Sequence, residues 1–446
     1  MMGRLAVQEA LFYRFRIEDR VPPEHLLRRI DRVLDFDVIR PQLAALYSPI
    51  GRPSIDPELM IRMLLVGYLY GIRSETRLCE EVHLNLAYRW FCRLGLEGCV
   101  PDRSSFSKNR YGRFADGDVL RSVFEMVVQR CVEAGLVGGS DALVDGSTVE
   151  ADTNRERRAA PEELKAAWSE ADDVARPVRA YLDQLEAEAG VEREGPVHKP
   201  PKVISETDPQ AAWSTKDGPG RFSYETNYLV DDRHAIIMDV EATPARLSQE
   251  IVAAKAMLER SKAKLGFKPT SLAADKSYGT APFLAWLLKR KVTPYVPVLD
   301  RRAQTDGKLT RDAFVYDRDR DCFICPEGHD LTYRNITVET GVKRYKPSAA
   351  ACRACPRKPD CTDASARSVI RLVDEDAREA VRELAGTVAY NTARARRKKV
   401  EMLFAHLKRH LKLRRLRLRG LTGATEEFLL AATAQNLRRL VKLSPA

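Results

Sequence analysis

The chain has 446 residues, 44% hydrophobic and 31% charged, enough for two to four domains with buried cores and too apolar for bulk disorder. Its formal net charge is +11, and Asn391–Gly420 alone, with twelve Lys and Arg against one acid (12 − 1 = +11), accounts for it. That balance calls for a polyanionic partner, and no apolar run approaches the roughly 18 residues of a membrane span.

The start, MMGRLAVQEALFYRFRIEDR, mixes acids and arginines where a signal peptide needs a clean apolar stretch. Nine cysteines, an odd number, predict reduced thiols and a cytoplasmic, nucleoid-associated protein. Residues 1–135 predict a helical DNA-binding domain. Pro57–Gly71 keeps an apolar face at helical spacing behind Asp56, an N-cap. Short helices follow over Ser74–His83 and Leu86–Leu94. Pro101-Asp-Arg-Ser-Ser then forms a turn and cap before a basic helix carrying Lys108, Arg110 and Arg113. Basic and aromatic residues on short helices suit a helix-turn-helix-like module. An all-helical packing domain fits that pattern equally well.

Residues 136–299 predict an α/β core with a mixed sheet. Strands are expected at Ala142–Thr148, Tyr224–Val230 and Ala235–Ala242, the last two joined by a turn at Asp231–His234. A helix at Leu247–Leu265, a strand at Ser271–Asp275, a helix at Ala281–Lys291 and a strand at Thr293–Val298 follow. Residues 155–213 interrupt the core with an Ala/Glu-rich helical segment broken at Pro177, then a Gly/Pro/charged linker from Gly190 to Pro201. Residues 300–374 form a Cys-rich, zinc-ribbon-like insertion. Residues 375–446 are C-terminal helices that complete the catalytic core.

Asp145 and Asp275 fall at strand ends, where α/β sheets collect active-site groups. Glu401, the lone acid in the basic run, lies on a helix with the apolar stripe Val400, Leu403, Phe404, Leu407 and Leu411. On a helical wheel Arg397, Glu401 and Lys408 fall within about 40° of one another. Three such carboxylates are hard oxygen ligands of the kind Mg²⁺ or Mn²⁺ accepts, and they suit two-metal phosphodiester chemistry. Each piece also has a plain reading. Val144–Ser147 equally makes a hairpin turn, Asp275 equally caps a helix, and Glu401 equally pairs with Arg397.

Val144-Asp145-Gly-Ser-Thr, Ala273-Ala-Asp275-Lys-Ser-Tyr-Gly279 and Arg397-Lys-Lys-Val-Glu401-Met-Leu-Phe-Ala-His-Leu-Lys408 resemble the three catalytic blocks of insertion-sequence DDE transposases. That group has a Tyr three positions before the Arg; Arg394 stands there in this chain. Gly51–Pro57, Tyr68–Ser74 and Pro101–Ser105 resemble the InsH-like N-terminal domain of these enzymes. Ser205-Glu-Thr-Asp-Pro209 and Tyr224-Glu-Thr-Asn227 resemble their central segment. The resemblance runs from about residue 10 to 440. It implies an RNase H-like core with Asp145, Asp275 and Glu401 as Mg²⁺ or Mn²⁺ ligands, supported by Arg397 and Lys408. It also implies cut ends whose 3′-hydroxyls attack target DNA.

The expected partner is double-stranded DNA, transposon ends and target, bound by a homodimer. Lys398, Lys399, Arg409, Lys412, Arg414, Arg415, Arg417 and Arg419 are its candidate phosphate contacts. Cys322-x₂-Cys325 and Cys352-x₂-Cys355-x₅-Cys361 have zinc-ribbon-like spacing. Because similar transposases carry the Cys-Pro-x-Gly element and the later three cysteines, Cys325, Cys352, Cys355 and Cys361 are the expected zinc ligands and Cys322 the spare. No P-loop, Gly-x-Ser-x-Gly elbow or His-Glu-x-x-His is present. Two rivals remain at this point: a catalytically silent DNA-binding relative, and a non-transposing RNase H-like nuclease.

Overall fold

The computed structural model describes residues 15–44, 47, 50, 54–114, 118–171, 173–188, 201–215, 218–246, 249–299 and 307–444. The predicted linker from Gly190 lies outside the described residues apart from Pro201, and so do 51–53 of the first N-terminal motif. The chain divides into two compact units. One holds Met1–Val137, Leu403–Leu418 and Thr422–Ala446, the other Gly138–Met402 and Arg419–Leu421.

The first unit is helical in its described parts. Its central helix, Pro57–Tyr70, starts where Asp56 accepts bonds from the N–H groups of Glu58 and Leu59, with Pro57 in the first turn. Met60 through Leu69 are all buried. Arg62 tolerates that burial because Asp31 and Glu58 each meet it at 2.7 Å. Helices Glu75–Leu84, Leu86–Phe91 and Arg103–Asn109 begin at the capping side chains of Ser74, Asn85 and Asp102.

The helix Gly420–Leu443 departs from expectation. Its residues from Thr422 onward belong to this helical unit rather than to the catalytic core. Phe428, Leu430, Ala431 and Leu437 are buried along it. Glu427, wholly buried, pairs with Arg73 and accepts from the N–H groups of Arg417 at 2.6 Å and Leu418 at 2.7 Å. Arg438 donates to the Leu69 carbonyl, and Arg29 to that of Val441. Contacts this distant in sequence leave no local signature.

The second unit is built on a mixed sheet. Its strands are β1 (Asp141–Glu150), β2 (Arg221–Asp231), β3 (Ile237–Pro244), β4 (Ser271–Ala273) and β5 (Thr293–Tyr295). Their spatial order is β3-β2-β1-β4-β5, and a short strand, Ala212–Ser214, pairs the start of β2. The first three strands run antiparallel; β4 and β5 are parallel to β1. This is a mixed α/β topology. Helix Gln249–Leu265 connects β3 to β4, and Ala281–Lys289 connects β4 to β5.

The 155–213 insertion closes on the paired strands Arg158–Ala159 and Ile204–Ser205. Pro177 sits in the first turn of the helix Arg176–Glu188, so the predicted break is a helix start. The second insertion is an antiparallel meander of β6 (Val315–Asp317), β7 (Cys322–Ile324), β8 (Asp330–Thr337), β9 (Val342–Lys346) and β10 (Val369–Leu372). It packs a small core of Phe314, Phe323, Leu331, Tyr345 and Val369. Among the described residues no helix is long and apolar enough to cross a membrane.

Candidate active site

The pairing of β1 with β4 runs Asp141–Ser271, Ala142–Leu272 and Leu143–Ala273, and stops there. Asp145 and Asp275 each lie two residues beyond the last pair, at the level where the two strands part. Val144–Ser147 is therefore continuous strand, not a hairpin turn. Asp275 does cap: its Oδ1 accepts from the Ser277 N–H at 2.8 Å, which fixes the direction of the carboxylate. Gly279 completes this turn because a Cβ there would stand 2.1 Å from the Pro297 carbonyl oxygen.

Asp145 accepts from the Gly146 N–H at 2.9 Å and from Arg397 Nη2 at 3.3 Å. Burial pushes its carboxyl above the usual range, the Arg397 guanidinium pulls it back, and the neighbouring charge of Asp275 raises it again. The two aspartates are close enough to repel, and the cation that meets them is paired with Asp145.

Arg397 is not within a continuous helix. It caps Val388–Arg396 and precedes Lys398–Arg409, with the Val400 N–H bonded to its carbonyl at 2.9 Å. Glu401 and Lys408 share the helix Lys398–Arg409, and Arg397, with a right-handed helical backbone, stands immediately ahead of it. Its guanidinium reaches Asp145, across the chain, rather than Glu401 one turn away. Glu401 is exposed, in the same unit as both aspartates, and no described hydrogen bond or ion pair joins it to them. Lys408 falls in the other unit. Among the described residues no three His, Cys, Asp or Glu side chains are grouped to hold a metal ion.

Asp232, in the turn between β2 and β3, anchors the segment carrying Glu401. It meets Arg396 at 2.7 Å and Lys399 at 3.1 Å, and its side chain is 5% exposed. Lys399, expected on DNA, is thus committed to this buried carboxylate. The anchor was missed in the sequence, where Asp231-Asp232 read only as turn residues. Lys398, Arg409, Lys412, Arg414, Arg415, Arg417 and Arg419 are exposed, while Leu411, Leu413, Leu416 and Leu418 between them are buried. Arg419 pairs with Asp152 at 3.2 Å.

In the meander Cys325, Cys352, Cys355 and Cys361 line one pocket, with His329 beside them. The His329 N–H donates to Cys325 Sγ at 3.3 Å. Burial raises the Cys361 thiol pKa, Arg367 lowers it, and Cys352, Cys355 and Cys325 raise it further. Cys322 is buried in β7 and does not line that pocket.

Residues 15–111 match the model of a transposase domain (DUF772), and residues 324–441 match that of a transposase DDE domain. The chain belongs to the insertion-sequence DDE transposases. The second match contains Arg397, Glu401 and the pocket cysteines, whereas Asp145 and Asp275 lie between the two matches. Among solved structures, a piggyBac transposase synaptic complex with hairpin DNA aligns with the transposase. The alignment covers 95% of this chain and 80% of that one at 9% identity, with a TM-score of 0.31, too slight a likeness to argue from. No protein of curated function matches the chain.

Proposed function

We propose that this DDE transposase cuts transposon ends and joins them to target DNA from an RNase H-like core in which Asp145, Asp275 and Glu401 hold Mg²⁺ or Mn²⁺. The observation that carries the reading is the Arg397–Asp145 contact at 3.3 Å, which joins the Arg-x₃-Glu block to the first aspartate block. The donor set fits a hard cation: it is all oxygen, and burial together with Asp275 already strains the charge on Asp145. When bound, such ions activate the attacking water or hydroxyl and stabilise the leaving oxygen.

The protein's own part is positioning. The Ser277 N–H aims Asp275, and the Gly146 N–H and Arg397 orient the Asp145 carboxyl and counter the burial that raises its pKa. Asp232, through Arg396 and Lys399, fixes the segment from which Glu401 supplies the third carboxylate. We assign end recognition to the helical N-terminal domain, residues 1–135. We assign phosphate contact to the exposed cations Lys398, Arg409, Lys412, Arg414, Arg415, Arg417 and Arg419, on a homodimer bound to duplex DNA.

For Cys325, Cys352, Cys355 and Cys361 we assign a structural Zn²⁺. Their common pocket and the N–H donated to Cys325 Sγ suit thiolate ligands. Such a site would add stability to a meander with only a small apolar core.

The test is single-turnover cleavage, in Mg²⁺, of duplex DNA carrying the sequences that flank the gene on both sides. Asp145→Ala, Asp275→Ala and Glu401→Ala should each abolish cleavage and leave end binding largely intact. Full cleavage by any one variant removes that residue from the site. Wild-type protein that cleaves without joining ends to target is a nuclease rather than a transposase.

A further inference from the structure

The first insertion opens near Arg155 and closes near Trp213, and the fold brings those two ends together. Arg158 lies over the Trp213 indole, its guanidinium carbon 4.2 Å from the ring centroid, and Arg155 lies 5.9 Å from it. Both are within reach of a cation–π contact. Trp213 is itself held in place. Its ring meets Phe222 edge-on at 5.1 Å, and a Cβ on residue 220 would stand 2.3 Å from its Cζ2, so Gly220 is what leaves room for the indole.

Arg155 and Arg158 are exposed, and among the described residues neither guanidinium has a hydrogen bond or an ion pair. Arg157 between them is different: its Nε donates to Glu206 at 2.9 Å. A guanidinium stacked on an indole uses its flat face there and keeps its in-plane N–H groups free, and that edge is the one that grips a phosphate. A third exposed cation adjoins the pair. Arg419 meets Asp152, three residues before Arg155, at 3.2 Å.

The strand register fixes the face on which this cluster stands. Asp145 pairs with Tyr228, and Trp213 pairs with Phe222, six residues back along β2. Paired residues share a face and an even step keeps it, so Trp213 stands on the sheet face that carries Asp145. Six residues of strand place it about 20 Å along, the length of roughly six base pairs of duplex.

Resting on the DNA-cutting reading above, we propose that Arg155 and Arg158, seated on Trp213, grip the phosphate backbone of duplex DNA. They stand on a turn and on the two-residue strand Arg158–Ala159, elements too short to enter a groove, so they meet phosphates and not base edges. Both lie outside the basic run of residues 391–420, and they extend the phosphate contact assigned to Arg419 onto the insertion.

The experiment is equilibrium binding of the full chain to duplex DNA across a salt series, in wild type, Arg155→Gln/Arg158→Gln and Arg157→Gln, with Tm read for each to confirm folding. Two duplexes of equal length serve as probes, one carrying the sequences that flank the gene and one of unrelated sequence. The double variant should lower the salt slope by about one to two units, at roughly 0.9 per phosphate contact, and equally on both duplexes. Arg157→Gln removes a charge already paired with Glu206 and should leave the slope unchanged. A double variant that lowers the slope by less than about half a unit, or an equal loss in Arg157→Gln, overturns the contact while the DNA-cutting reading stands. A loss confined to the flanking duplex also overturns it, because that is base recognition. If wild type binds neither duplex, both fall. Should the double variant fail to fold, Arg155→Gln alone carries the test, with an expected loss of about one unit.

Discussion

Replacing Glu427 with Ala should unfold the helical unit well before any surface change would. Glu427 is wholly buried and accepts two backbone N–H groups, from Arg417 at 2.6 Å and Leu418 at 2.7 Å. It also neutralises Arg73, whose side chain is 9% exposed and which meets it through Nη2 while Nε has no hydrogen-bond partner. Removing the carboxylate leaves a buried guanidinium uncompensated and two N–H groups unpaired, a class of change that costs about 3–5 kcal/mol. At roughly 2–4 °C per kcal/mol for a unit of this size, Tm should fall by about 10 °C. Differential scanning calorimetry of the full chain reads it directly. The double variant Arg73→Met/Glu427→Met removes both charges and should be less destabilised than Glu427→Ala alone. A fall of under about 2 °C for Glu427→Ala, or a double variant as unstable as the two single changes summed, refutes the reasoning.

Three more expectations follow from other parts of the molecule. Purified protein should hold about one zinc per chain, lost or reduced in Cys352→Ser/Cys355→Ser; elemental analysis of chelator-free wild type finding none would dispose of the site. Arg397→Lys should impair cleavage although charge is kept, because Lys cannot reproduce a planar fork on Asp145; Lys408→Ala should instead lower the salt slope of DNA binding by about one unit or less. Asp208, which accepts from the Tyr224 hydroxyl at 2.6 Å, has its pKa pushed up to about 6 from 3.8, first by burial. A folded-state pKa raised above the unfolded one means that the charged carboxylate penalises the fold. That penalty is complete above pH 6 and disappears as the pH falls toward 4. Asp208→Asn should therefore be more stable than wild type at pH 7.5, by up to about 3 kcal/mol, and lose that advantage by pH 4; a difference independent of pH contradicts this.

The elements that local chemistry dictates were legible in the sequence. Asp56 and Asp102 cap the helices expected behind them, and Ser74 caps the helix it was expected to start. The strands around Asp145, Tyr224 and Ile237 formed where β-branched and aromatic residues alternate between turn signals. Asp275 was readable as an acid just past a strand end, whereas Asp145 lies within the strand Asp141–Glu150 rather than at its end.

Long-range electrostatics were not legible. Nothing near Lys399 in sequence announces Asp232, and nothing near Arg73 announces Glu427, so neither ion pair was expected. The break between two helices at Arg397 was hidden too: the residues around it are good helix formers, and Arg397 itself keeps a right-handed helical backbone.

The central claim is that Glu401 joins Asp145 and Asp275 at one cation. Fe²⁺ bound in place of Mg²⁺, with ascorbate and peroxide, cuts the backbone beside its ligands. Mapping the fragments of the full-length transposase tests the claim most directly. The account predicts cuts near 145, 275 and 401 together, all competed by excess Mg²⁺ and all lost in Asp145→Ala. Cuts near 145 and 275 with none near 401 would contradict it.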